Sequence, residues 1–254
     1  FEATKLKPLH NVIAYLTIPE YLPPRPDQNF HASMLPWLAA KAVAMGYYSG
    51  GAFISGKEET GVNHKEYGVT SWGALQFLHH ALKFVGIEGD FTVKLTGGPD
   101  GDVAGNFIRL LSQYYPKRAK LILITDASGT CYDPVGFEWE PLNHMFHAVE
   151  AIAQYPREKL HEGGWILCLR TTRQVTQFQK EVLLVKKKDG KVVEEWISSN
   201  AANHLFGTNA HTVYADVFLP SGGRPRALNM TNMSDFLDKE GKPTTRVIVE
   251  GANL

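Results

Sequence analysis

The chain has 254 residues, 44% of them apolar, enough for one large α/β domain with a real hydrophobic core. Its 26 basic and 26 acidic side chains cancel, so no electrostatic footprint points to nucleic acid or to an anionic membrane. No apolar run reaches the roughly 18–20 residues of a membrane span, and two cysteines without a C-x-x-C suit reduced thiols better than a disulfide framework.

Residues 1–65 are rich in proline and glycine and read as a linking segment. Within them an apolar helical stretch, Met34 to Met45, lies between PPRP (Pro23 to Pro26) and SGG (Ser49 to Gly51). Leu75, Leu78, Leu82 and Val85 recur on one helical face, and Gly86 stops that helix. Phe91 to Leu95 is a predicted strand. A second helix carries Val103, Phe107, Leu110, Leu111 and Tyr114 on its packed face and ends at Pro116. Leu121 to Thr125 is apolar on both faces, as a buried parallel strand should be.

Pro141 to Tyr155 is predicted helical, and within it His144 and His147 lack a third metal ligand and read as helix surface. Trp165 to Leu169, Val213 to Leu219 and Val247 to Val249 are short strand-like runs. Val182 to Ile197 alternates on both sides of Asp189-Gly190, the pattern of a β-hairpin added at the outside. Strands alternating with helices predict a doubly wound, mostly parallel sheet. The expected division is a linking segment over 1–65 and a doubly wound, Rossmann-like domain over 66–254. The chain starts on Phe1 and stops just after RVIVEGAN, so a piece of a longer protein is expected.

The most informative stretch is FTVKLTGGPDGDVAGN, Phe91 to Asn106. A strand enters a glycine-rich turn and the turn opens a helix, which aims backbone N–H groups at one point and favours an anion there. Strand, glycine turn, helix, strand and then an acid, Asp126, is the order of a dinucleotide-binding unit. The turn Gly98-Pro99-Asp100-Gly101-Asp102-Val103 has one residue more than G-x-G-x-x-G between its first two glycines. Gly97 or Gly98 would make the tight turn, Gly101 would let backbone approach a pyrophosphate, and Ala104 or Gly105 would let helix and sheet pack closely. Asp100 and Asp102 would repel a diphosphate, although Asp102 could instead cap the helix.

Asp126 stands where a carboxylate accepts ribose hydroxyls, or it is a turn residue of the DASG stretch. Ala127, Ser128 and Gly129 offer no cation for a 2′-phosphate, so NAD is expected over NADP. The same βαβ logic serves S-adenosylmethionine methyltransferases.

KEYGVTSWG (Lys65 to Gly73), TGGPDGDVAGN with ITDASG, and VEGANL together resemble glutamate dehydrogenase, in particular its large NAD-specific class. The resemblance runs from about Pro23 to Leu254, and the extra turn residue is typical of that class. It implies that Asp27, after PPRP, is the catalytic carboxylate, and that Thr70 contacts the nicotinamide amide. Trp72 stands where the family's A-T-G-R-G segment has arginine. Asn253 resembles the asparagine near the nicotinamide ribose. Ala215 to Gly223 resembles the strand and loop beneath the cofactor, with Pro220, Ser221 and Gly222 facing it. Lys57 lies downstream of Asp27, whereas the family's catalytic lysine lies upstream of that motif, so Lys57 reads as structural.

The resemblance further implies oxidation of L-glutamate to 2-oxoglutarate and ammonium with NAD, a homo-oligomer at full length, and no nucleic-acid or membrane partner. A cytoplasmic location is expected, or a mitochondrial one if a targeting segment lies upstream. Another amino-acid dehydrogenase of the same architecture, a methyltransferase and a non-catalytic nucleotide-binding module are the alternatives.

Overall fold

The computed structural model describes residues 34–47, 62–222 and 228–251. The chain divides after Tyr67 into two units. The first contributes α1 (Met34–Ala44) and α2 (His64–Tyr67). The second begins at Gly68, whose φ of 60° lies in the left-handed region and turns the chain into α3 (Val69–Phe84). There follow β1 (Phe91–Thr96), α4 (Asp102–Tyr114), β2 (Ala119–Asp126), β3 (Gly129–Tyr132) and α5 (Trp139–Ala148). The remainder is β4 (Trp165–Thr176), β5 (Gln179–Lys188), β6 (Lys191–Ser198), α6 (Ser199–Thr212), β7 (Val217–Pro220) and β8 (Val247–Ile248).

All eight strands form one sheet in the order β6-β5-β4-β3-β2-β1-β7-β8. β1 is parallel to β2 and to β7, and β7 is parallel to β8. From β2 outward every pairing is antiparallel. Two reversals cancel, so β4 and β6 run in the direction of β1, and only β3 and β5 oppose the rest. The sheet is therefore mixed, with three parallel pairings around β1 and β7 and four antiparallel ones beyond β2.

Helices cover both faces. Leu75, Leu78 and Leu82 of α3, Phe107 and Leu111 of α4, and Leu142 and Met145 of α5 meet Val93, Leu95, Val217 and Leu219 in one core. Burying each such side chain contributes about 1.5–3 kcal/mol. On the opposite face Ala202 of α6 packs on Leu167, Val182 and Leu184. Between β1 and β2 the register passes from Val93–Leu121 to Lys94–Leu123, leaving Ile122 as an extra residue. This bulge turns Leu123 to the face opposite Leu121, where it meets Phe218 and Phe236.

Lys94 points to that second face and is fully buried. Its Nζ donates to Val213 O at 2.8 Å, lies 3.4 Å from Thr244 Oγ1, and sits about 5.5 Å from the Phe218 and Phe236 ring centres. The amine thus ties the end of α6 and the segment before β8 to the middle of β1. Burial pulls its pKa down from 10.5 to about 7.

The predicted hairpin is present and longer than expected. Asp189 (φ 52°) and Gly190 (φ 72°) both take positive φ, the requirement of a type I′ turn. β6 is the sheet edge, and its Lys191, Glu194 and Glu195 discourage pairing with another strand.

Three expectations need correction. The stretch expected to be helical from Pro141 to Tyr155 stops at Ala148, because Val149 turns left-handed (φ 57°), and a 3₁₀ turn takes over at Ile152–Gln154. Tyr114 is not on the packed face of α4: it is 49% exposed against Trp72, and Tyr115, just past the helix end, is buried instead. β3 and α6 had no counterpart among the predicted elements.

Candidate functional site

The carboxyl ends of β1, β2, β7 and β8 reach the same edge of the sheet, the edge at which ligands bind in open α/β folds. The chain leaves β1 at Thr96 and turns at Gly97, whose φ is 103°. A Cβ at Gly97 would lie 2.7 Å from Ala104 Cβ and 2.7 Å from Ser221 O, so only glycine fits. The Gly97 N–H donates to Thr125 O at 2.8 Å, and the Ser221 N–H donates to Thr96 O at 2.8 Å, which fixes the turn between β2 and β7. Gly222 lies over Gly97, and a Cβ there would come within 2.9 Å of Gly97 N. The Gly251 N–H, just beyond β8, donates to Pro220 O at 2.8 Å.

Gly101 N donates to Gly98 O at 3.0 Å and closes a tight turn around Pro99 and Asp100. Gly101 is the N-cap of α4 and makes no side-chain cap. The expectation that Asp102 caps the helix is thus corrected: Asp102 is the first helical residue, and its Oδ1 accepts from Val103 N at 2.8 Å. It takes one of the first-turn N–H groups that an incoming anion would otherwise meet. A Cβ at Gly105 would strike Pro99 O and Phe146, so α4 approaches both the turn and α5 closely there.

The amino end of α3 is pinned beside that of α4. Ser71 Oγ is buried and donates to Val103 O at 2.8 Å, and a Cβ at Gly68 would lie 3.0 Å from the Asn106 side chain. Pro220, Ser221 and Gly222 stand beside the glycine turn, while Thr70 is half-buried in the first turn of α3, next to Ser71. Ser71 and Gly251 belong to the same cluster and were not anticipated; only the fold brings them there. Asp27, Lys57 and Asn253 lie outside the described residues.

Asp126 is a turn residue of the DASG stretch, as one of its two readings has it. Its Oδ1 accepts from Ser128 N (2.7 Å), Ser128 Oγ (2.5 Å) and Gly129 N (3.3 Å), and its Oδ2 accepts from Ile152 N (2.8 Å). The same Oδ2 would stand 2.5 Å from a Cβ at Gly98, so the carboxylate also faces the glycine turn. With three donors on Oδ1 and one on Oδ2, the remaining acceptor capacity of the carboxylate lies mainly on Oδ2. Asp126→Asn replaces one of these oxygens by an NH₂ group facing existing donors. It is expected to lower stability by about 1–3 kcal/mol in urea unfolding; an unchanged midpoint would show that the network is dispensable.

Among the described residues no cluster of three or more His, Cys, Asp or Glu is placed to hold a metal ion, and His144 and His147 are exposed. No described helix is long and apolar enough to cross a membrane.

Residues 61–254 match the model of the Glutamate/Leucine/Phenylalanine/Valine dehydrogenase family. The chain belongs to this family. The match does not favour the methyltransferase alternative. It is 31% identical over 241 residues to a probable NAD-specific glutamate dehydrogenase of Schizosaccharomyces pombe, covering 93% of this chain and 20% of that protein. It is 29% identical over 233 residues to an NAD-specific glutamate dehydrogenase of Neurospora crassa, covering 90% and 20%. The chain thus spans about one fifth of the length of the curated relatives it matches.

Among solved structures, glutamate dehydrogenase of Plasmodium falciparum is similar with a TM-score of 0.51 and 16% identity, over 91% of this chain and 40% of that one. A hetero-hexameric glutamate dehydrogenase of Thermus thermophilus is similar with a TM-score of 0.50 and 13% identity, over 90% and 42%. These two likenesses concern the fold.

Proposed function

We propose that this chain is the cofactor-binding portion of an enzyme that oxidatively deaminates L-glutamate to 2-oxoglutarate and ammonium with NAD. The observation that carries the reading is the glycine turn at the sheet's carboxyl edge. There Gly97 and Gly222 leave no space for side chains, and α4 presents its amino end. Residues Gly98 to Val103 would hold the pyrophosphate, and Asp126 Oδ2 would hold the adenosine ribose. Thr70, Pro220, Ser221, Gly222 and Asn253 would hold the nicotinamide half. When bound, the dinucleotide supplies the hydride acceptor.

The chain's own contribution is orientation: fixed backbone at the turn sets one face of the cofactor against the substrate and keeps water out of the cleft. Asp27 is the proposed proton shuttle between amine, imine and water. Glutamate specificity is supported by the names of the curated relatives, as is the preference for NAD. At full length a homo-oligomer is proposed, and the cytoplasm is the proposed location.

The test uses the full-length protein with glutamate, leucine, phenylalanine and valine as substrates. Glutamate should give the highest kcat/KM, and Asp27→Asn should lower kcat by about 10²–10⁴-fold while NAD affinity stays near wild type. A preference for leucine or valine would overturn the substrate, and a wild-type kcat would remove Asp27 from the chemistry.

A further inference from the structure

Behind the Asp126 turn lies a cavity of about 610 Å³. Its wall is built from the same loops that hold the carboxylate. Ser128 lines it and donates to Asp126, and Ala151 and Ala153 line it on either side of Ile152, whose N–H also donates to Asp126. Ala153 N in turn donates to Ser128 Oγ at 3.1 Å. Ser128, Ala151 and Ala153 thus belong both to the loops around Asp126 and to the cavity wall.

The cavity contains two guanidinium groups, although residues 127–129 carry none. Arg157 enters from a second 3₁₀ turn, Arg157–Lys159. Arg170 enters from an irregularity in β4, where the register with β5 jumps from Cys168–Leu183 to Thr172–Val182 and leaves 169–171 as an extruded bulge. The Leu169 N–H donates to Ser128 O at 2.9 Å, so the bulge is seated on the Asp126 turn. Two arginines on a cavity that shares its loops with Asp126 are what a 2′-phosphate on a ribose held there would seek, since guanidinium binds phosphate oxygens in pairs.

The added hairpin answers one of them. Glu194 of β6 forms an ion pair with Arg157. The hairpin is seated on the same loop elsewhere: Lys187 Nζ donates to Glu158 O at 3.3 Å, and Glu162 accepts from Asp189 N and Gly190 N at 2.8 and 3.0 Å. With Glu158 also on the wall, the charges of Arg157, Arg170, Glu158 and Glu194 cancel, and Asp126 leaves the ribose end negative.

We propose that Glu194 is a cofactor-specificity residue: by engaging Arg157 it withholds that guanidinium from a 2′-phosphate and biases the site toward the dinucleotide that lacks one. The proposal rests on the reading of the glycine turn as a dinucleotide site. It also assigns a role to the hairpin, which supplies from a distant part of the chain a charge that the β2 turn does not carry.

Calorimetric titration of this chain with NAD and NADP tests it. In Glu194→Gln, NADP affinity relative to NAD should rise about threefold to fivefold, the scale of one exposed ion pair, and the gain should shrink as salt is raised. Adding Arg157→Gln should return the ratio to wild type, which a merely structural role for Glu194 does not predict. Glu195→Gln is the control, because Glu195 pairs with Lys186 at 2.5 Å whereas Glu194 pairs with Arg157. An unchanged ratio in Glu194→Gln with normal NAD binding, or a gain that survives Arg157→Gln, would overturn the specificity role alone. If the wild-type chain binds neither dinucleotide, the dinucleotide reading itself falls and takes this role with it.

Discussion

A Gly97→Ala variant is expected to lose about 1–3 kcal/mol of stability and roughly 100-fold in NAD affinity. Two separate penalties act at one methyl group. Alanine is strained at φ 103°, and its Cβ would have to occupy a point 2.7 Å from both Ala104 Cβ and Ser221 O. Relief requires α4 and the end of β7 to move apart, and those are the two elements that bracket the proposed pyrophosphate. Neither neighbour is a flexible side-chain tip. One is the Cβ of a helical alanine and the other a main-chain carbonyl of a residue whose N–H is bonded to Thr96. Urea unfolding and NAD titration on the same sample separate the two effects. Wild-type NAD affinity in a folded Gly97→Ala protein would mean that the turn does not carry the cofactor.

Lys94→Met should change how stability depends on pH. Val213 O, the Thr244 oxygens and two aromatic rings surround Lys94 Nζ, and none carries a full negative charge. Burial therefore lowers its pKa from 10.5 to about 7. Between those values the unfolded chain holds a proton that the folded chain has released, so stability rises with pH across that window. Below about pH 7 both states are protonated and the full penalty is present, on the order of 5 kcal/mol at 1.36 kcal/mol per pH unit. The stability difference between wild type and Lys94→Met should thus shift in favour of wild type by roughly 1 kcal/mol per pH unit from pH 7 to pH 10. Chemical denaturation at several pH values measures this. Parallel curves for the two proteins would show that Lys94 keeps an ordinary pKa.

What could be read from the sequence was local. β1, the glycine turn, α4 and β2 follow one another within 36 residues, Phe91 to Asp126, and each is set by its own pattern: an apolar run, adjacent glycines, a 3.6-residue stripe. The hairpin was legible because Asp-Gly specifies its turn. β3 was missed because GTCY is four residues long and has too few positions to show alternation. α6 was missed because SNAANHLFGTNAHT has no continuous apolar stripe; it is held by Ala202 packing on β4 and β5 and by Lys94 at its end.

The candidate site divides in the same way. Gly97 to Val103 and Asp126 were visible as residues, but the engagement of Asp126 by Ile152 depends on a loop 26 residues further on. Ser71 and Gly251 reach the turn only because α3 and β8 flank it. Arg157, Arg170 and Glu194 come from three separate elements, and their meeting depends on a bulge and on hairpin docking. No periodicity encodes either.

The most direct measurement of the central claim is a calorimetric titration of NAD into the wild-type chain, with NADP and S-adenosylmethionine titrated in parallel. The account predicts one NAD site per chain, weaker NADP binding and no binding of S-adenosylmethionine. Absence of NAD binding by a folded chain, or NADP binding as tight as NAD, would contradict it.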